Sequence, residues 1–175
     1  MDYQDQIISI VDKTSEEISS TILSGFVQQS KTWLHGDAYV NKKNIYPELI
    51  APALPNIAII ERLNEGDKRF FIRLSGEEIT NRTLGFKAKS FIEDVTPDFY
   101  SSSLIEQYGQ AIDEGNLRIQ DIIWDYDYRK LHIERVLLPI IINGGDKPDG
   151  LLLATVRASD TLRYMMDNPT FEEAS

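Results

Sequence analysis

The strand patterns in this 175-residue sequence, and the short connections between them, restrict its fold more than any other feature. Five apolar, β-branched runs have the length of strands and occupy residues 57–63, 69–75, 117–126, 131–142 and 151–158. A short turn containing Gly66 joins the first two runs, and short polar or glycine-rich connections join the last three. Parallel neighbours need a crossover of about a dozen residues or more, so strands joined this closely pair antiparallel. The sequence therefore predicts a hairpin and a three-stranded block in an antiparallel sheet.

Helical patterns fill the segment between the hairpin and the three-stranded block. Two short patterns cover residues 77–82 and 88–93, and a longer one covers 99–114, where apolar residues recur at i, i+4 and i+8. Gly115 then supplies a helix stop. Since the helices are grouped rather than alternating with the strands, the predicted fold class is α+β.

The N-terminal 34 residues carry apolar residues at helical spacing, and we predict a helix over most of them. Ile7, Val11, Ile18 and Ile22 fall near one face of it. This stripe has two interpretations. It packs on the core of its own domain, or it forms a short coiled-coil seam with a second copy of the chain or with another protein. The second interpretation makes these four residues the expected dimer or partner contact.

Composition excludes several classes of function. Acidic residues outnumber basic ones by 28 to 18, which gives a net charge of -10 and argues against nucleic acid and anionic membranes as partners. The chain has no cysteine, so thiol nucleophiles, disulfides and cysteine-ligated metals are excluded. The acidic start does not resemble a signal peptide, and no apolar run reaches membrane-spanning length. We therefore expect a cytoplasmic protein.

Several segments, in this order, are similar to the PAS domain family, and in particular to a branch of short bacterial single-domain PAS proteins of unassigned ligand. They are 30–34 (SKTWL), 46–49 (YPEL), 54–57 (LPNI), 69–77 (RFFIRLSGE), 81–85 (NRTLG) and 134–140 (ERVLLPI). Glu77 is a departure, since members of the branch tend to have a threonine there.

The resemblance implies a five-stranded antiparallel sheet with helices on one face, which together enclose a small-molecule cavity. It divides the chain into a helical extension (1–34), a PAS-like domain (35–160) and a C-terminal tail (161–175). It also implies a non-catalytic sensory or interaction domain in signal transduction, which binds a small molecule, a protein partner or both, and which forms a homodimer. The light-driven flavin adduct of one PAS class needs a cysteine and is impossible here. The ligand or cofactor stays unidentified.

Polar residues within otherwise apolar strands are the candidate ligand contacts. Gln120 lies near Trp124 in one strand, and Arg135 follows Glu134 in the next. On a pleated strand, one member of each adjacent pair can point into the cavity, where an amide or a charge would orient a ligand against apolar walls. Tyr108 and Phe91 are expected on the opposite, helical wall. The alternative is that Glu134 and Arg135 pair at the surface and that the aromatic rings fill a core.

An enzyme is the second hypothesis. Asp121, Asp125 and Asp127 alternate onto one strand face, and a general base of a small lyase or isomerase could look like this, with Tyr126 or Tyr128 as an oxyanion donor. The competing interpretation is a polar outer face, with Ile122 and Trp124 turned inward.

The two histidines, His35 and His132, are the only candidate imidazole ligands for a metal or a haem. His132 alternates with Leu131 and Ile133, so it should point away from the core if those two residues face it. We expect neither a metal site nor a haem.

Overall fold

A single sheet of eight strands organises the part of the chain that the computed structural model describes, which is residues 6–65, 68–82, 86–96, 98–126 and 129–158. The strands are β1 (Gln6–Lys13), β2 (Val40–Asn41), β3 (Ile57–Glu65), β4 (Lys68–Ser75), β5 (Ser90–Phe91), β6 (Arg118–Tyr126), β7 (Arg129–Ile141) and β8 (Gly150–Arg157). Their order is β1-β6-β7-β8-β3-β4-β5, and the short β2 runs parallel to the end of β7. All other pairings are antiparallel.

The five predicted strands are present, and the α+β class with a large antiparallel sheet is confirmed. The hairpin β3–β4 and the block β6–β8 meet where β3 pairs with β8, with Ile57 opposite Ala154 and Glu61 opposite Gly150. The two blocks therefore form one continuous layer. The sheet is larger than the five strands expected, because β1, β2 and β5 add to it.

The helices cover both faces of the sheet, so the prediction of helices on one face is wrong. They are α1 (Thr21–Ser30), α2 (Glu77–Arg82), α3 (Ile92–Val95) and α4 (Asp98–Glu114), with 3-10 turns at Ser15–Glu17, Lys31–Trp33, Lys42–Asn44 and Pro47–Asn56. We call the side covered by α1 and the 47–56 segment the α1 face, and the side covered by α2, α3 and α4 the α4 face. Each face has its own buried apolar cluster.

Pleat alternation explains why both faces are apolar. In β8, Leu151 and Leu153 belong to the cluster on the α4 face, whereas Leu152 and Ala154 belong to the cluster on the α1 face. A strand that is buried on both sides reads as a continuous apolar run, as β8 does. The sequence GLLLATVR therefore requires helices above and below it.

The predicted N-terminal helix is wrong for residues 6–13 and correct for Thr21–Ser30. Residues 6–13 form β1, which pairs antiparallel with β6, and the helix α1 begins only at Thr21 after the N-cap Ser20. Val11 lies on the strand and is exposed, whereas Ile18 and Ile22 pack against the α1-face cluster. The side chain of Ile7 lies outside the described residues. These four residues do not share a helix face, and the proposed coiled-coil seam does not exist.

Two further boundaries need correction. The segment 1–34 is not a separate helical extension, because β1 is part of the sheet and α1 packs on its core. The short helix expected at 88–93 is instead the two-residue strand β5 followed by α3 at Ile92–Val95. The tail 161–175 lies outside the described residues.

Gly76 joins β4 to α2 where the chain passes close to the 47–56 segment. Its N–H donates to the carbonyl of Ile57 at 2.7 Å, and a methyl group at this position would overlap the backbone oxygens of Pro55 and Leu54. Gly145 offers a control, because a methyl group there would meet no atom within 4 Å.

We expect Gly76→Ala to lower the free energy of unfolding by about 1–3 kcal/mol, since a rigid backbone must move to admit the methyl group. Gly145→Ala should change it by less than about 0.5 kcal/mol. Urea unfolding followed by circular dichroism measures both values. Equal effects of the two substitutions would contradict this packing of the β4–α2 junction against the 47–56 segment.

Candidate functional site

A cavity of about 300 Å³ lies on the α4 face between the sheet and the helices α2 and α4. Its walls come from three neighbouring strands, from both helices and from Phe86. The lining side chains are Ile79, Asn81, Phe86, Tyr108, Ile122, Trp124, Leu131, Ile133, Arg135, Leu153, Thr155 and Arg157. Most of them are apolar, and none of these described lining residues is acidic. A small, mostly apolar cavity with a few polar groups is the usual form of a small-molecule site.

Arg135 is the buried charge of this cavity. It lies on β7 opposite Gln120 of β6, and its side chain is only 2% exposed. Its Nε donates to Oε1 of Gln120 at 3.0 Å, and its guanidinium carbon lies 5.6 Å from the ring centroid of Tyr108 on α4. Its Nη2 is buried and has no hydrogen-bond partner among the described residues. One face of the guanidinium is therefore fixed, and one nitrogen is left without an acceptor.

Gln120 orients the guanidinium from behind. Its Nε2 donates to Oδ1 of Asp12 on β1 at 2.8 Å and to Oε1 of Gln107 on α4 at 2.9 Å. With both amide hydrogens engaged, the carbonyl oxygen must face Arg135. A strand, a helix and the neighbouring strand thus combine to set the direction of one buried cation.

The structure brings together four of the five predicted ligand residues. Tyr108, Trp124 and Arg135 line the cavity, and Gln120 lies directly behind Arg135. Phe91 is the exception, because it lies on β5 at the edge of the sheet and is not among the lining side chains. Its ring packs edge-on against Phe71 at a centroid distance of 5.2 Å.

The residue that precedes Arg135 carries a buried charge on the opposite face. Glu134 is 1% exposed and accepts hydrogen bonds from the backbone N–H groups of Ser19 at 2.9 Å and Ser20 at 2.8 Å, just before α1. Lys13 of β1 forms a salt bridge with it. Unlike Arg135, Glu134 has both an opposite charge and backbone donors. Glu134 therefore links β1 and the start of α1 to the central strand β7.

Asp121 extends this network along the α1 face. Its Oδ1 lies 2.9 Å from Nζ of Lys13 and 3.0 Å from Nε2 of His132. Burial disfavours the charged Asp121 carboxylate, but the contacts with His132 and Lys13 outweigh burial and lower the pKa of Asp121 below its usual range. Burial also disfavours the Lys13 ammonium, yet its hydrogen bonds to Glu134 and Asp121 raise the pKa of Lys13. Both groups are held in their charged forms.

The candidate catalytic and metal-binding residues whose side chains are described do not line the cavity. Asp121 lies on the face opposite to it, whereas Ile122 and Trp124 line it. His132 also lies on that opposite face, and His35 sits in an exposed turn. The described residues include no group of three or more acidic or imidazole side chains that could hold a metal ion. The side chains of Asp125 and Tyr126, and residues 127 and 128 altogether, lie outside the described part.

Asp12 and Lys13, which support the networks around Arg135 and Glu134 from the N-terminus, are not predicted from the sequence. They fall within the predicted N-terminal helix, but they occupy successive positions of β1, so their side chains point to opposite faces of the sheet. The available signal was the pair Glu134–Arg135 in an apolar strand, because two adjacent buried charges require polar partners on both faces. It gives no indication of where in the chain those partners lie.

Comparison with protein-family models, curated proteins and solved structures found no match to this chain. None of the helices in the described part combines the length and the apolar character that crossing a bilayer requires.

We expect Lys13→Met to lower the free energy of unfolding by about 3 kcal/mol, because it leaves the buried Glu134 carboxylate without its cation. Lys43→Met is the matched control, since Lys43 is exposed on a 3-10 turn, and its effect should stay below about 0.5 kcal/mol. Chemical denaturation at pH 7 measures both. A Lys13 effect as small as that of Lys43 would show that this ion pair does not fasten β1.

The lowered pKa of Asp121 also predicts how stability depends on pH. The folded protein holds this carboxylate ionised below the pKa of 3.8 that is ordinary for an aspartate, so its contribution is complete above that pH and is lost as the pH falls through the lower folded pKa. The melting temperature of the wild type should therefore fall more steeply below about pH 4 than that of Asp121→Asn. Parallel curves for the two proteins would contradict the Asp121 network.

Proposed function

We propose that this chain is a PAS-type sensory or interaction domain that binds a small molecule in the cavity on the α4 face. The observation that carries the proposal is a mostly apolar cavity of about 300 Å³ with one buried, oriented guanidinium in its wall. The continuous antiparallel layer formed by the β3–β4 hairpin and the β6–β8 block, with α2 to α4 on the cavity side, supports the PAS assignment. We place the protein in the cytoplasm and assign it no catalytic role.

The arrangement of β7 suggests how occupancy could be transmitted to a partner protein or a second copy of the chain. Arg135 lines the cavity, and the adjacent Glu134 holds the start of α1 and Lys13 of β1 on the other side of the sheet. A shift of β7 on binding would therefore move the anchor of the N-terminal segment. Such coupling requires the ligand to bind the two conformations with different affinity.

The lyase or isomerase alternative has less support. It requires a carboxylate at the base of a cavity, and the described residues that line this one include none. Asp121, the candidate base with a described side chain, contacts Lys13 and His132 on the other face.

A cavity-filling substitution tests the proposal. Ile133 is half-buried in the cavity wall, so Ile133→Trp should occupy the space where a ligand binds. Ile123 is a half-buried isoleucine outside the cavity lining and serves as the matched control, Ile123→Trp. The test compounds are small molecules with an apolar body: indole, phenylacetamide, phenylacetate and octanoate. In ligand-observed NMR, we expect at least one of them to bind the wild type and Ile123→Trp but not Ile133→Trp.

Native mass spectrometry of the freshly purified protein complements this test, because a co-purified molecule of matching size would be the natural ligand or its mimic. The proposal fails if no mass co-purifies and no compound binds the wild type. It also fails if binding is the same in both tryptophan variants.

A further inference from the structure

We propose that the ligand of this cavity is a small carboxylate with an apolar body, and that Arg135 binds its carboxylate group. This inference rests on the proposed function, since it names the chemical class of the molecule that the same cavity binds.

The charge of Arg135 is buried but incompletely paired among the described residues. Arg135 is 2% exposed, and none of the ion pairs between described residues involves it. Its contacts with Gln120 and Tyr108 are to a neutral amide and a ring. Removing a guanidinium from water is costly unless an anion compensates it. Glu134, the neighbouring charge, shows that this sheet can provide full compensation where no ligand is needed.

The Arg135 guanidinium in the cavity wall is held in one orientation. Nη2 has no acceptor among the described residues, and Arg135 belongs to the cavity wall. Gln120 holds Nε, while Asp12 and Gln107 hold Gln120, so the planar group cannot turn away without breaking this chain of hydrogen bonds. A guanidinium presents its donors in a fixed plane that matches a carboxylate. The guanidinium is thus held in a fixed plane in the cavity wall with one donor uncommitted among the described residues.

The described cavity lining and the whole chain carry opposite charge. The whole chain carries a net charge of -10, yet the charged residues among the described cavity lining are two arginines, Arg135 and Arg157. Arg157, unlike Arg135, is exposed to solvent. Among the described residues the cavity lining carries only positive charge, and in a strongly acidic protein this favours a negatively charged occupant.

Size and wall chemistry narrow the class. A cavity of about 300 Å³ lies at the lower end of the roughly 300–1,000 Å³ range of small-molecule sites, so it suits a small ligand. Ile122, Leu131, Ile133 and Leu153 offer hydrocarbon surface and no hydrogen bonds. A phosphate group needs several donors, and the described lining contains only one buried cation, so a monocarboxylate with an aliphatic or aromatic body fits better.

The decisive experiment compares each acid with its own amide in the unmodified protein. Phenylacetate and phenylacetamide, and octanoate and octanamide, are nearly identical in shape and differ in charge. Isothermal titration calorimetry should give each acid an affinity at least about tenfold higher than its amide, because hydrogen bonds to charged groups are the stronger ones. Equal affinities, or tighter binding of the amides, would overturn the inference. Inorganic phosphate and phenyl phosphate are included, and tighter binding of either would also overturn it.

Variants at Arg135 locate the contact. Arg135→Met should weaken acid binding by about tenfold to hundredfold and leave amide binding nearly unchanged, whereas Arg135→Lys, which keeps the charge but loses the planar donors, should be intermediate. Arg118→Met is the matched control, because Arg118 starts β6, pairs with Glu114 and is not part of the cavity lining. Acid binding that survives unchanged in Arg135→Met would contradict the assigned contact.

The failures of the two proposals are distinguishable. One outcome is that the amides bind the wild type but not Ile133→Trp, with no higher affinity for the acids than for the amides. In that case the cavity is a binding site for another class of ligand. If neither acids nor amides bind the wild type or Arg118→Met, the cavity proposal itself fails and this inference fails with it. Should Arg135→Met not fold, the comparison of acid and amide in the unmodified chain decides alone.

Discussion

The burial of two consecutive charges in the central strand β7 is the constraint on which the rest of the structure depends. Glu134 is 1% exposed and Arg135 is 2% exposed, and pleat alternation sends them to opposite faces of the sheet. Each buried charge needs its own compensation, because an isolated ion is strongly disfavoured in a protein interior. The two faces answer this need differently. Protein groups compensate Glu134, whereas Arg135, in the cavity wall, has one donor without an acceptor among the described residues.

This constraint explains the position of the N-terminal segment. Successive residues of β1 reach both faces: Asp12 supports Gln120 behind Arg135, and Lys13 forms a salt bridge with Glu134. Strand pairing with β6 is what places them at these two points. Residues 6–13, predicted as part of a helical extension, therefore form a strand that supports both the cavity wall and the anchor of α1. Under the proposed function, ligand binding on the α4 face and the response on the α1 face would both involve β1.

The sequence was sufficient for those elements whose signals are local. Short connections predicted the antiparallel strands correctly, and alternation predicted that Trp124 and Asp121 lie on opposite faces. The N-terminal error has a physical cause. A short run such as QIISIV fits a helix or a strand equally well, and the exposed edge of β6, which no local pattern reveals, decides for the strand. Phe91 was misplaced for a related reason, since its position follows from pairing with Phe71.

The central claim is that Arg135 is the anion contact of a small-molecule cavity, and a crystal structure of the protein with 4-bromophenylacetate tests it most directly. The anomalous signal of bromine identifies the position and the orientation of the ligand without ambiguity. We expect the carboxylate within about 3 Å of Nη2 of Arg135 and the bromine among the apolar side chains. A carboxylate that points to solvent, bromine next to the guanidinium, or a cavity without ligand at saturating concentration would contradict the account.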